Sequence, residues 1–289
     1  VIARFEEITR LDPTVHWDWI ELGRLYQDAG RLADASRAAK TAAITAVDDR
    51  DRAAASGALG DVLIAQADGP GALAAFRKSL AIREALVARD PANTEWQRNL
   101  SISHGRIGDV LVAQGDGPGA LTAFRKSLTI RAALVTRDLA NSQLQLDLSV
   151  SIDKIGDVLV AQGDGPGALV AYRRSLAIRE ALAARDPANT QWQRDLSISH
   201  EKIGNVLLAQ GDGPGALATF RKGLAIREAL AARDPANTEW QRDVSVSYEK
   251  IGDVLIAQGD GPGAITAFRK SMAIREALAA RDPANTQWQ

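Results

Sequence analysis

No cysteine occurs among the 289 residues. That excludes a disulfide scaffold, thiolate zinc sites and cysteine nucleophiles, and it fits a reducing, cytoplasmic setting. No apolar run approaches the ~18 residues that a transmembrane helix needs, so no membrane partner is expected. The opening VIARFEEITR carries acidic residues and no long apolar core, so this stretch is not expected to be a signal peptide. An excess of one charge is also missing. With 35 Lys and Arg against 36 Asp and Glu, the formal net charge is −1. Nothing global therefore draws the chain to nucleic acid.

What is present is a soluble, globular balance of 46% hydrophobic and 25% charged residues. Arginine outnumbers lysine 27 to 8, a composition typical of GC-rich bacterial genomes. The most visible feature is a repeat. GDGPGAL stands at 115–121, 163–169 and 211–217, with ADGPGAL at 67–73 and GDGPGAI at 259–265. The surrounding sequence recurs with the same period of 48 residues: between 187–234 and 235–282 only 11 positions differ. A fixed period in this range is the signature of stacked repeats.

Each copy reads as two helices. Asp-Pro in DPANT ends the preceding helix, and Thr94 with Gln97, Thr190 with Gln193 and Thr238 with Gln241 offer a T-x-x-Q capping box. Trp192, Leu196, Ser199, Ile203, Val206 and Leu207 follow at helical spacing. Gly211 stands where a left-handed cap is wanted, and Pro214 where a first turn tolerates a missing N–H. Leu217, Phe220, Leu224 and Leu230 then line the second helix. GDGPG is thus the turn of a helical hairpin. As a phosphate loop it lacks the Lys-Ser/Thr pair after its last glycine and follows no strand. As a calcium loop it lacks alternating carboxylates.

In WIELGRLY, Trp19, Leu22, Gly23 and Tyr26, followed by Ala35, resemble the tetratricopeptide repeat, whose 34-residue unit fits 16–49. The longer units keep that core: Ile203, Gly204, Leu207, Ala216 and Phe220 in one copy, Ile251, Gly252, Leu255, Ala264 and Phe268 in the next. Seven added residues per helix extend the seam by two turns with ~20° of drift. Such long-helix units are similar to those of kinesin light chains and bacterial repeat arrays. The resemblance implies an all-α, right-handed superhelical solenoid of stacked antiparallel hairpins. Its units divide as 1–15 (tail of a preceding repeat), 16–49, 50–93, 94–141, 142–189, 190–237, 238–282 and 283–289 (start of a further repeat). Both ends fall inside units, so a piece of a longer protein is expected. The last second helix, with Phe268, Met272 and Leu278, has little to cover it, which predicts end-to-end self-association.

Few residues offer chemistry. His104 and His200 sit at equivalent positions two repeats apart, too far to share a metal at ~8–10 Å per helix layer. Ile152 and Tyr248 replace them elsewhere, the pattern of a tolerant surface. Trp96, Trp192, Trp240 and Trp288 recur just inside the first helix and read as packing residues. The pairs Arg125–Lys126, Arg221–Lys222 and Arg269–Lys270 read as a solvated face. No enzyme, cofactor or metal site is expected.

The resemblance implies binding by the inner face of the first helices. Its inward positions are Ile102, Gly105, Asp109 and Val112; Val150, Asp153, Asp157 and Val160; Ile198, Glu201, Asn205 and Leu208; Val246, Glu249, Asp253 and Ile256. An acidic row between aliphatic rows suits a protein or peptide segment with basic and apolar residues. The like charges at i, i+4 cost ~0.2–0.5 kcal/mol per pair, with Lys154, Lys202 and Lys250 near to offset them. With Asp, Glu or Gly at most of the inward positions where such members of the family carry Lys, Arg and Asn, the face is unsuited to gripping a C-terminal carboxylate. The expected role is a scaffold or sensor module of a bacterial signalling or defence protein. The alternative is a self-assembly or spacer module, favoured by the near-identity of the copies.

Overall fold

The computed structural model describes residues 1–281. The architecture is an all-α helical-repeat solenoid, and no strand occurs among the described residues. In chain order the helices are α1 (Ile2–Leu11), α2 (His16–Asp28), α3 (Leu32–Thr45), α4 (Asp49–Ala65), α5 (Gly69–Arg89), α6 (Thr94–Ala113) and α7 (Gly117–Arg137). There follow α8 (Ser142–Ala161), α9 (Gly165–Arg185), α10 (Thr190–Ala209), α11 (Gly213–Arg233), α12 (Thr238–Ala257) and α13 (Gly261–Arg281). Trp288 and the stretch 283–289, read above as opening another repeat, lie outside the described residues.

The glycine-rich loop is a tight interhelical turn. Gly211 takes φ +83°, and the amides of Gly211 and Asp212 donate to Leu208 O and Leu207 O at 3.0 and 2.9 Å. This closes the end of α10 as a Schellman-type cap. The Asp212 carboxylate then accepts from the Gly215 amide at 2.9 Å, with Pro214 in the first turn of α11. Asp68, Asp116, Asp164 and Asp260 cap their helices likewise. At each helix start a carboxylate of the chain itself thus occupies an amide that a phosphate would need. In the first copy Ala67 takes the left-handed position at φ 60°, where its β-carbon costs about 1–2 kcal/mol.

The T-x-x-Q capping box does not form. Asn93, Asn189 and Asn237 are the N-caps, accepting from the amides of Trp96, Trp192 and Trp240 at 3.0, 3.1 and 3.1 Å. The threonines are already the first helical residues. Asparagine caps better than threonine, so the helix begins one residue earlier than the box implies. Gln97 and Gln193 turn instead to the carbonyls of Pro91 and Ala183, at 2.5 and 3.3 Å.

Two compact units are present, Val1–Ser151 and the residues from Ile152 onward. In the first, Leu22, Tyr26, Ala35, Ala38, Ala39 and Val62 form one apolar cluster, with Trp19 and Phe5 packed on it. Phe76, Ile107, Val110 and Ala123 belong to a second. In the other unit Tyr172, Ile203, Val206, Phe220, Ile251 and Val254 share a continuous cluster.

Within each long hairpin an aromatic ring lies directly on a glycine of the partner helix. A β-carbon on Gly60, Gly108, Gly156, Gly204 or Gly252 would stand 2.5–2.6 Å from a ring carbon of Phe76, Phe124, Tyr172, Phe220 or Phe268. The glycine is needed for its missing side chain, because the two helices meet at ring thickness. Gly204→Ala should therefore lower stability by about 1–3 kcal/mol in urea unfolding. The Gly204→Ala/Phe220→Leu double variant should lose less than the two single losses added together. Strict additivity would refute a direct clash.

Candidate interaction surface on the first helices

The first helices of the long units are α4, α6, α8, α10 and α12. In the first unit Ile102, Gly105 and Asp109 are half-buried, while Val112 and Val150 are exposed. In the second unit Asp157, Val160, Asn205, Asp253 and Ile256 are exposed, and Ile198, Glu201, Leu208, Val246 and Glu249 are half-buried. Asp153 is buried at 6% exposure and does not present its carboxylate to solvent. The row of carboxylates therefore splits, and the cause is a residue type that the sequence reading passed over.

An arginine recurs in every long second helix: Arg83, Arg131, Arg179, Arg227 and Arg275. Arg179 Nη2 pairs with Asp153 at 2.6 Å, Arg227 Nη2 with Glu201 at 2.5 Å and Arg275 Nη2 with Glu249 at 2.7 Å. The same guanidiniums reach the following first helix. Arg179 Nη1 donates to Asp195 O and Ser199 Oγ at 3.1 and 2.9 Å, and Arg227 Nη1 to Asp243 O and Ser247 Oγ at 3.3 and 2.8 Å. Arg227 Nε also donates to Ser197 Oγ at 3.2 Å. Burial pushes the Asp153 carboxyl above the ordinary carboxylate range, against the opposing pull of Arg179. These carboxylates hold repeats together, which leaves Asp153 no charge to offer a ligand. The signal available in the sequence was the invariant spacing of Arg after the second-helix aromatic.

The other carboxylate position stays on the surface. Asp157 accepts from Lys202 Nζ at 2.6 and 2.8 Å and from the Tyr172 hydroxyl at 2.6 Å. Burial, then the bond to Asp157, holds the Tyr172 phenol well above its usual range. Asp157, Val160, Tyr172, Lys202 and Asn205 together line an open cavity of about 420 Å³. Asp253, by contrast, makes no ion pair among the described residues. One turn beyond these positions lies an aliphatic side chain in every repeat: Ile64 and Val112 in the first unit, 45% and 48% exposed, and Val160 and Ile256 in the second, 47% and 56% exposed, with Leu208 half-buried between.

The remaining candidates resolve simply. Arg125, Lys126, Arg221, Lys222, Arg269 and Lys270 are all exposed. Trp240 packs on the apolar cluster of the second unit. His104 and His200 are not on a tolerant surface: they are 6% and 5% exposed. Ile152, at 2% exposure, shows that the position is an interior one that takes a ring or an aliphatic chain. Among the described residues no group of His, Asp and Glu has the arrangement of a metal site. No helix among them is long and apolar enough to cross a membrane.

Stacked helical hairpins with a glycine–aromatic contact in each long unit define a helical-repeat protein. Tetratricopeptide repeat models match residues 20–85 and 149–188. Those two stretches are thus tetratricopeptide repeats by sequence as well as by fold. A search of curated proteins returns no match. Among solved structures, BtubC (BKLC) from P. vanneervenii is similar with a TM-score of 0.65 and 15% identity, covering 94% of this chain and 95% of that one. A kinesin light chain of nearly identical TPR-like repeats from Podosopora anserina is similar with a TM-score of 0.59 and 17% identity, over 78% and 98% of the two chains. A STAND signal-transduction ATPase with a tetratricopeptide repeat sensor, from Pyrococcus horikoshii, is similar with a TM-score of 0.62 and 15% identity, over 98% of this chain and 42% of that one. At these identities the likeness is one of fold.

Two expectations follow from the buried groups. Arg227→Ala leaves Glu201 without its cation and Asp243 O, Ser197 Oγ and Ser247 Oγ without a donor, and should cost about 3–5 kcal/mol in chemical unfolding. Glu201→Gly recreates the combination already present at Arg131 and Gly105 and should cost clearly less. Equal losses would mean that the ion pair, rather than the bridge to the next helix, is the essential part. For the histidines, burial first and Lys126 or Lys222 second hold the imidazoles below their ordinary pKa. The folded state then binds fewer protons than the unfolded one, so stability is complete above about pH 6.5 and falls as pH drops below it. The His104→Ile/His200→Ile variant should lose less thermal stability than the parent between about pH 7 and 5. Identical pH profiles would refute this.

Proposed function

We propose that the chain is a non-catalytic scaffold or sensor module that binds an extended partner segment along the first-helix face. The observation that carries this reading is the aliphatic row, one exposed or half-buried side chain per long repeat, in register with a row of Asp and Asn side chains. In the second unit it consists of Val160, Leu208 and Ile256, flanked by Asp157, Asn205 and Asp253. Apolar side chains displayed at a fixed repeat suit alternate apolar residues of an extended segment, and the flanking carboxylates suit its Lys or Arg. Because Asp157 is already met by Lys202, and Glu201 and Glu249 by arginines, apolar contact supplies most of the affinity. Charge supplies register. A cytoplasmic, bacterial signalling or defence protein is the setting this reading favours, and the sensor role of the repeats in the Pyrococcus ATPase is in keeping with it.

A peptide display screen on the full chain tests the reading. Selected peptides should carry spaced apolar and basic residues. Val160→Ser/Leu208→Ser/Ile256→Ser should weaken them by about ten-fold or more, roughly 1.4 kcal/mol. Asp253→Asn should weaken them less, and its effect should shrink with salt, since screening acts over ~8 Å at physiological strength. The near-identity of the copies supports a second reading, a spacer or self-assembly module. An empty screen, with association of the chain rising with concentration in sedimentation, would replace the first reading by the second.

A further inference from the structure

Arg83 differs from its counterparts in what surrounds it. Position 57 holds glycine where Asp153, Glu201 and Glu249 supply the carboxylate, and position 53 holds alanine where Ser101 and Ser197 accept from the Nε of Arg131 and Arg227 at 3.1 and 3.2 Å. The anchoring half of the arrangement is kept: Arg83 Nη1 donates to Asn99 O and Ser103 Oγ, both at 2.8 Å. Its Nε and Nη2 make no hydrogen bond among the described residues. These two donors form one edge of the guanidinium, the edge that takes a carboxylate in the bidentate manner.

Beside that edge the structure has a cavity of about 410 Å³ in the first unit, within the ~300–1,000 Å³ of small-ligand sites. Trp17 and Trp96 give it aromatic walls. The other charges in its lining are already matched: Arg50 with Glu95 and Arg106 with Asp61, each at 3.3 Å. Asp61 also acts on Arg83 across the cavity without bonding to it, so three arginines face two carboxylates and the lining keeps one net positive charge. At Arg131, where Gly105 also removes the acid, the guanidinium is 9% exposed and its Nε is held by Ser101, so that position is closed.

We propose that this cavity binds a carboxylate, which takes the place left by Gly57 and Ala53 on the Nε–Nη2 edge of Arg83, with its apolar part against Trp17 and Trp96. The ion pairs of Arg179 and Arg227 in the second unit show that this guanidinium position accepts a carboxylate at 2.5–2.6 Å. The carboxylate is that of a small organic acid or of an Asp or Glu side chain in a partner segment. The site is independent of the aliphatic row, which lies one turn further along the first helices.

Calorimetric titration of the full chain tests this with three probes: phenylacetate, its neutral amide phenylacetamide, and an end-blocked peptide with one Glu beside one Phe. Phenylacetate or the peptide should bind about ten-fold more tightly than the amide, as a charge-assisted bidentate contact requires. Preference for the first assigns the site to small acids, preference for the second to a partner segment. Gly57→Glu supplies the carboxylate from within the chain. A β-carbon at Gly57 would meet Ser79 Oγ at 3.7 Å and Arg83 Nη2 at 3.9 Å, so the side chain has room. It should abolish binding while leaving the circular dichroism spectrum unchanged and the melting temperature equal or higher. Arg83→Gln gives an independent test and should lose binding equally. Equal affinity for acid and amide, undiminished binding by Gly57→Glu or Arg83→Gln, or no binding of either acid probe would overturn the proposal.

Discussion

Apolar burial brings helices together without saying how they should be aligned, because it follows area and has no direction. The arginine shared by the long second helices supplies the missing alignment. In Arg131, Arg179 and Arg227 the side chain is buried, where an unmatched charge costs several kcal/mol. The cost is offset only when a backbone carbonyl and a serine of the next first helix arrive at hydrogen-bonding distance. In the second unit Arg227 meets Ser197, Glu201, Asp243 O and Ser247 at once. A slip of one residue between neighbouring hairpins would break most of these bonds together. The glycine–aromatic contact fixes the distance within a hairpin, and the arginine fixes the register between hairpins.

This division explains which parts of the molecule could be read from the sequence. The period of 48 residues, the turn at Gly211 and Pro214, and the close approach at Gly204 are local or repeat with the chain. The physical cause and its signature lie within a few residues of each other. The arginine bridge spans 26 residues back to Glu201 and 20 forward to Ser247. Neither spacing matters on one helix, so Asp153, Glu201 and Glu249 looked like charges awaiting a ligand. The histidines misled for a related reason. Variation among His104, Ile152, His200 and Tyr248 resembled surface tolerance, whereas a largely buried position also admits several bulky side chains. The caps failed on a smaller matter, two good N-cap residues standing side by side.

Near-identical repeats carry little information about function, since every copy answers the same packing demand. The departures from the pattern are the informative positions. Gly57 and Ala53 remove two partners from one arginine. Tyr172 replaces a phenylalanine and ties its hydroxyl to Asp157. Asn205 stands where the neighbouring copies have Asp157 and Asp253.

The last of these departures shapes the charge of the second unit's surface. Lys202 reaches Asp157, 45 residues before it, and the same step from Lys250 leads to Asn205. Lys250 makes no ion pair among the described residues, and neither does Asp253. A single change from carboxylate to amide thus leaves a cation on α12, the helix that also carries an unmatched carboxylate. Against three repeats of nearly constant aliphatic surface, such a pair of charges would give a segment bound in the proposed way a direction and a place to stop. Opposite charges displayed at fixed points raise specificity more than affinity. An array assembled from copies would need only such sparse substitutions to distinguish one partner from another, because the packing that holds them is the same in each copy.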